Sequence, residues 1–218
     1  MKSILLILLI FFQNFLSAQV SIRNKVKSPR TNFGVQKIQS VISRLKLNKY
    51  THTIIIDQLI NGKKESFSIS TKSNLTRITG NDETGILYGC LAFADELKRT
   101  KKFPVSFSLS DAPEMVLRGS CIGVQKPYYL PGRNVYEYPY TPETFPWFYD
   151  KKLWIQYLDS MVSNRMNSLY LWNGHPFASL VKLKDYPYAV EVDDATFKKN
   201  EEIYRFLTTE ADKRGIWV

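Results

Sequence analysis

The sequence predicts two folded parts in series: an α+β domain with helices on a small sheet, then an incomplete α/β barrel of the TIM type. Three observations predict it. The first half sets a helix-period stripe, several short β-rich runs and a second helix-period stripe in order. Beyond Asp111-Ala112-Pro113 the pattern changes to strand, loop, helix, repeated, which implies parallel βαβ units. Only two and a half such units follow, whereas a closed (β/α)8 barrel takes roughly 250 residues.

The chain opens with Lys2, the apolar run Ile4 to Phe12, and small residues at Ser17 and Ala18 before Gln19. That order predicts a secretory signal peptide over residues 1–18, cut after Ala18. The run is shorter than the ~20 residues a membrane span needs, so no stable span is expected after cleavage. A secreted or periplasmic product follows.

Val35, Ile38, Val41, Ile42 and Leu45 recur at helical spacing and predict a helix over residues 34–47. Its stripe needs a sheet. Thr51 to Ile60 is β-rich, Asn61-Gly62 is a hairpin turn signal, Glu65 to Thr71 alternates, and Leu75 to Thr79 is short and apolar. These predict an antiparallel or mixed sheet. The turn Gly80 to Gly85 then leads into Ile86, Leu87, Cys90, Leu91, Ala94 and Leu97 on one helical face, closed by Lys98, Arg99, Lys101 and Lys102, which suit a helix C-terminus. Residues 19–110 thus form one domain and 111–218 the beginning of another.

In the second part Met115 to Val124 is the first strand, Lys152 to Val162 a helix, Ser168 to Trp172 the second strand and Phe197 to Lys213 the next helix. Gly215 ends it before Ile216-Trp217-Val218, the start of a third strand. Cys90 and Cys121 fall in different parts and on apolar faces, which favours buried free thiols over a disulfide.

The net charge of +10 is spread along the chain and reads as a solvated basic surface. Export and the lack of any nucleic-acid-binding motif exclude nucleic acid as partner. With His52 and His175 the only histidines, a histidine-rich metal site is excluded too.

Three segments resemble a known arrangement. Leu75 to Gly89 resembles a strand, glycine turn and G-x-x-Y-G helix start; Asp111 to Gly119 fits D-x-P-x-x-x-x-R-G; and Met161 to Asn167 with Ala211 to Val218 fits a helix end and an A-x-x-R-G-I-x-V strand. In this order they are similar to the hexosaminidase-like N-terminal domain and barrel of family 20 β-N-acetylhexosaminidases and bacterial α-glucuronidases. The resemblance implies a glycoside hydrolase with a carbohydrate substrate. It also implies an acid and base located after a fourth strand, so no catalytic residue is assigned within these 218 residues. Where the family has an arginine this chain has Lys126, and where it has H-W-H this chain has Tyr170-Leu171-Trp172.

Barrel enzymes build their sites at the C-terminal ends of the strands. Lys126, Trp172, Asn173 and His175 fall there and are candidate sugar contacts, Trp172 equally a core residue and His175 equally the start of a turn. Arg118 is either a further sugar contact or an ion-pair partner. Between Tyr128 and Tyr149, nine of twenty-two residues are aromatic, which suits sugar faces or the folding of a long loop. Asp193-Asp194 precedes a helix and reads as its cap. Glycosidic hydrolysis needs two carboxylates and water, so no cofactor is implied. A noncatalytic carbohydrate-binding protein and an export or adhesion domain are the alternatives.

Overall fold

A computed structural model describes residues 19–126, 129, 131–132, 134, 138–172 and 176–218. The first part is a five-stranded mixed sheet under two helices. Its elements are β1 (Val20–Asn24), α1 (Pro29–Arg44), β2 (His52–Gln58), β3 (Phe67–Lys72), β4 (Leu75–Gly80), α2 (Glu83–Thr100) and β5 (Ser106–Asp111), with sheet order β1-β2-β4-β3-β5.

Helix α1 begins five residues before the stripe predicts, because Ser28 and Thr31 cap it reciprocally: Ser28 Oγ accepts from the Thr31 N–H (3.2 Å) and Thr31 Oγ1 from the Ser28 N–H (3.0 Å). Pro29 then stands where a missing N–H costs nothing. Ile38, Val41 and Ile42 turn inward as the spacing predicts. The core they join includes Ile54 and Ile56 of β2, Ile69 of β3 and Ile78 of β4. Asp82 caps α2 through the Gly85 N–H (2.8 Å), and Lys101 ends it in the left-handed region, φ 56°.

The hairpin expected at Asn61-Gly62 is not there. β2 pairs parallel with β1 and β4, and the antiparallel hairpin joins β3 to β4, turning at Ser73 with φ 55°. The intervening segment instead folds over the end of β4: the Gly62 N–H donates to Asn81 Oδ1 (2.7 Å) and the Glu65 N–H to Asp82 Oδ2 (2.8 Å). The mixed sheet stands.

The second part holds β6 (Gly119–Gly123), α3 (Lys151–Ser163), β7 (Ser168–Trp172) and α4 (Asp194–Asp212). β6 and β7 are parallel, and a bridge from Ser168 to Trp217 begins a third parallel strand on the far side of β7. Spatial order therefore follows sequence order. Leu169 is buried and Ser120, Ile122 and Leu171 are half-buried, whereas Gly119, Cys121, Gly123, Tyr170 and Trp172 are exposed, so one face of this sheet is packed and the other open. Two expectations change here. The strand starts at Gly119 rather than Met115, leaving Met115, Val116 and Leu117 exposed ahead of it, and Cys121 lies on the open face rather than in the core. Cys90 is buried, and both thiols are free.

Among the described residues no helix is long and apolar enough to cross a membrane, and no cluster of three or more His, Cys, Asp or Glu could hold a metal ion.

Candidate functional site at the strand ends

The strand order sorts the candidate residues into two places. Lys126 and Trp172 follow β6 and β7 and lie at their C-terminal ends, where the Val124 N–H donates to the Trp172 carbonyl (2.9 Å) and extends the pairing. Arg118 precedes β6 and lies at the opposite end. Asn173 and His175 fall outside the described residues.

Trp172 is 54% exposed and Tyr170 61%, both on the open face. Among the described residues nothing packs over the Trp172 ring on that face. Lys126 holds its ammonium 5.1 Å from the Phe145 ring centroid. This contact sets the ammonium over the face of that ring.

Most of the described aromatic residues of the loop fold it down. Tyr138, Tyr140, Phe145 and Phe148 are buried, with Tyr140 and Phe145 edge to face at 5.7 Å and Phe148 and Trp154 edge to face at 6.2 Å. Tyr149 donates to Asn200 Oδ1 (2.5 Å), and Asn200 donates to the carbonyls of Tyr140 (2.9 Å) and Ser179 (3.0 Å). Asn200, on α4, is thus the pin that ties the two long loops together. Tyr129 is exposed, and Tyr128 and Tyr136 lie outside the described residues.

Two carboxylates of these loops, Asp193 and Glu143, are held by local hydrogen bonds. Asp193 Oδ1 accepts from the Thr196 N–H (2.7 Å), the cap expected of it. Hydrogen bonds from Thr141 and its own backbone hold the Glu143 carboxyl below the ordinary carboxylate range, the wrong direction for a proton donor at neutral pH. Glu137 lies outside the described residues.

At the other end, Arg118 is consumed by structure. It donates to Glu65, to the Met115 carbonyl (2.7 Å), to the Arg165 carbonyl (2.8 Å) and to Tyr88 Oη (3.2 Å). Glu65 also accepts from Asn167 Nδ2 (3.0 Å), whose Oδ1 accepts from the Arg118 N–H (2.9 Å). A groove of about 900 Å³ opens beside this network, lined by Lys63, Thr84, Val116, Leu117 and Trp217. It lies across the strand length from Lys126 and Trp172.

No protein-family model matches the sequence, and no curated protein matches it. Solved structures do. A GH138 enzyme targeting pectin rhamnogalacturonan II is 52% identical, with a TM-score of 0.83 over 92% of this chain and 30% of its own. The Flavobacterium johnsoniae chitobiase, of family GH20, is 19% identical with a TM-score of 0.57, covering 92% of this chain and 30% of its own. A GH115 4-O-methyl-α-glucuronidase with specificity for decorated arabinogalactans is 14% identical with a TM-score of 0.52, covering 93% and 29%. The chain spans about a third of the length of these structures. All are glycoside hydrolases, and the chain shares their hexosaminidase-like fold.

Proposed function

We propose that this chain is the N-terminal part of an exported glycoside hydrolase acting on pectic glycan. Residues 1–18 form its signal peptide, 19–110 its hexosaminidase-like domain and 111–218 the first units of its (β/α)8 barrel. The observation that carries the reading is the 52% identity over 92% of the chain to an enzyme that targets pectin rhamnogalacturonan II. The sequential parallel order of β6, β7 and the Trp217 bridge, with α3 and α4 as the connections between them, supports the barrel.

In this reading Trp172 forms a wall of the sugar site, its ring meeting the C–H face of a pyranose, while Lys126, Asn173 and His175 donate to or accept from sugar oxygens. Arg118, at the opposite strand end, holds the two parts together and does not touch sugar. The general acid and its partner carboxylate are supplied from beyond Val218, at the ends of later strands.

The test is incubation of the secreted protein, in its full length, with purified rhamnogalacturonan II and, separately, with chitin oligosaccharides. Released monosaccharide is read by anion-exchange chromatography. Release from the pectic substrate alone is expected; release from chitin alone, or from neither, contradicts the reading.

A further inference from the structure

The loop between β7 and α4 carries two tyrosines that the structure does not use for packing. Tyr186 is 53% exposed and Tyr188 79%, and the short turn Pro187–Ala189 between and beside them contributes no buried residue. Their rings stand edge to face, centroids 6.0 Å apart at 79°. The backbone beneath them is fixed: the Tyr186 N–H donates to the Leu183 carbonyl (3.2 Å), the Ala189 N–H to the Tyr186 carbonyl (3.0 Å) and the Glu191 N–H to the Ala178 carbonyl (2.9 Å). Lys182 anchors the loop to the start of α4 through Asp194 (2.8 Å). Since α4 runs back along the sheet, its start lies at the same end as Trp172 and Lys126.

Among the described residues this aromatic pair, on a loop held by backbone hydrogen bonds, forgoes most of its hydrophobic burial. Two rings at a right angle form a corner that takes one pyranose, its C–H face on one ring and its edge against the other, while both hydroxyls remain free for sugar oxygens. We propose that Tyr186 and Tyr188 form an outer glycan-stacking subsite beside the strand-end site. The proposal rests on the glycan-hydrolase reading above and extends it to a second sugar residue of the chain.

The test replaces both residues, as Tyr186→Ala with Tyr188→Ala and as Tyr186→Phe with Tyr188→Phe, in the secreted protein in its full length. Binding is read as retardation in gels containing rhamnogalacturonan II, and turnover as KM and kcat on the same polymer. The alanine pair is expected to raise KM about tenfold and abolish retardation at unchanged kcat and melting temperature, while the phenylalanine pair retains both. Unchanged KM and retardation in the alanine pair would overturn the subsite while leaving the hydrolase reading intact. A lowered melting temperature with kcat and KM falling together would assign the rings to packing. If the unsubstituted protein is neither retarded nor active, the hydrolase reading fails first and the subsite with it.

Discussion

The Glu65–Arg118 pair is where three separate stretches of sequence meet. Tyr88 approaches from the glycine-turn helix, Arg118 from the Arg-Gly pair, and Asn167 from the end of the helix-to-strand motif. The segments that carry the resemblance therefore specify the joint between the two parts, not the sugar site. Glu65 itself sits at φ 61°, a strained conformation for a non-glycine residue, held by its N–H to Asp82. Breaking the Glu65–Arg118 pair from one side leaves a mostly buried charge unmatched, so Glu65→Gln or Arg118→Met is expected to cost about 3 kcal/mol. The double variant should recover part of that, and urea midpoints of all three decide it. A second residue-scale expectation concerns His52, buried against Phe103 with ring centroids 4.1 Å apart and bonded to Thr76 Oγ1 (2.8 Å). Burial pushes its pKa down from 6.5 to about 4. The folded state is then neutral at His52 while the unfolded chain takes up a proton below pH 6.5. Stability is therefore complete above that pH and falls as the pH drops toward 4, by up to about 3 kcal/mol. His52→Phe should flatten that slope; an equal slope in the variant would assign it to other groups.

At the scale of elements, close approach decides what periodicity cannot. β6 meets β7 at Gly119, where an added Cβ would stand 1.8 Å from the Ser168 carbonyl oxygen. Gly119→Ala must therefore part the strands, and a loss of more than about 3 kcal/mol is expected, with the Trp217 bridge lost too. A Cβ on Gly85 would likewise stand 2.2 Å from the Ser66 carbonyl oxygen, which explains why the first turn of α2 needs glycine. Much of this level was legible in the sequence. Helices α2, α3 and α4 and strand β7 show clean stripes and agree within a few residues with their predicted limits. What failed did so for physical reasons. Asn61-Gly62 has the chemistry of a hairpin, but its N–H is taken by Asn81, so the chain crosses to the far side of β4. Strands β1 and β5 lie at the sheet edges and more than half the residues of each are polar, so Val20–Asn24 and Ser106–Asp111 hold no run long enough to claim a strand. The start of α1 hid in a Ser28–Thr31 cap that lacks the usual acidic third residue.

At the scale of the whole molecule, ion pairs lock the parts together, Arg30 of α1 with Asp212 of α4 (2.7 Å) among them. Besides the Glu65 joint, Asp159 of α3 receives Lys37 of α1 (2.7 Å) and Arg214 (2.7 Å), and Arg214 lies 4.6 Å over the Phe33 ring. Burial would raise the Asp159 carboxyl, but the hydrogen bonds and charges of Lys37 and Arg214 outweigh it and hold it below the ordinary range. Arg214 is the arginine of the A-x-x-R-G motif, so this contact was written in the sequence without its partner being readable. The candidate sugar site was legible only in position: strand order puts Lys126 and Trp172 at one end. The exposed face of β6 and β7 sets a requirement in packing terms, because Tyr170, Trp172 and Cys121 need a layer that these residues do not supply.

That requirement is met if the reading frame continues, and sequencing the DNA downstream of the Val218 codon tests it most directly. The account predicts about five further strand-and-helix units, with carboxylates at the C-terminal ends of the strands. A stop codon at that point, or a continuation without alternating strands and helices, would contradict it.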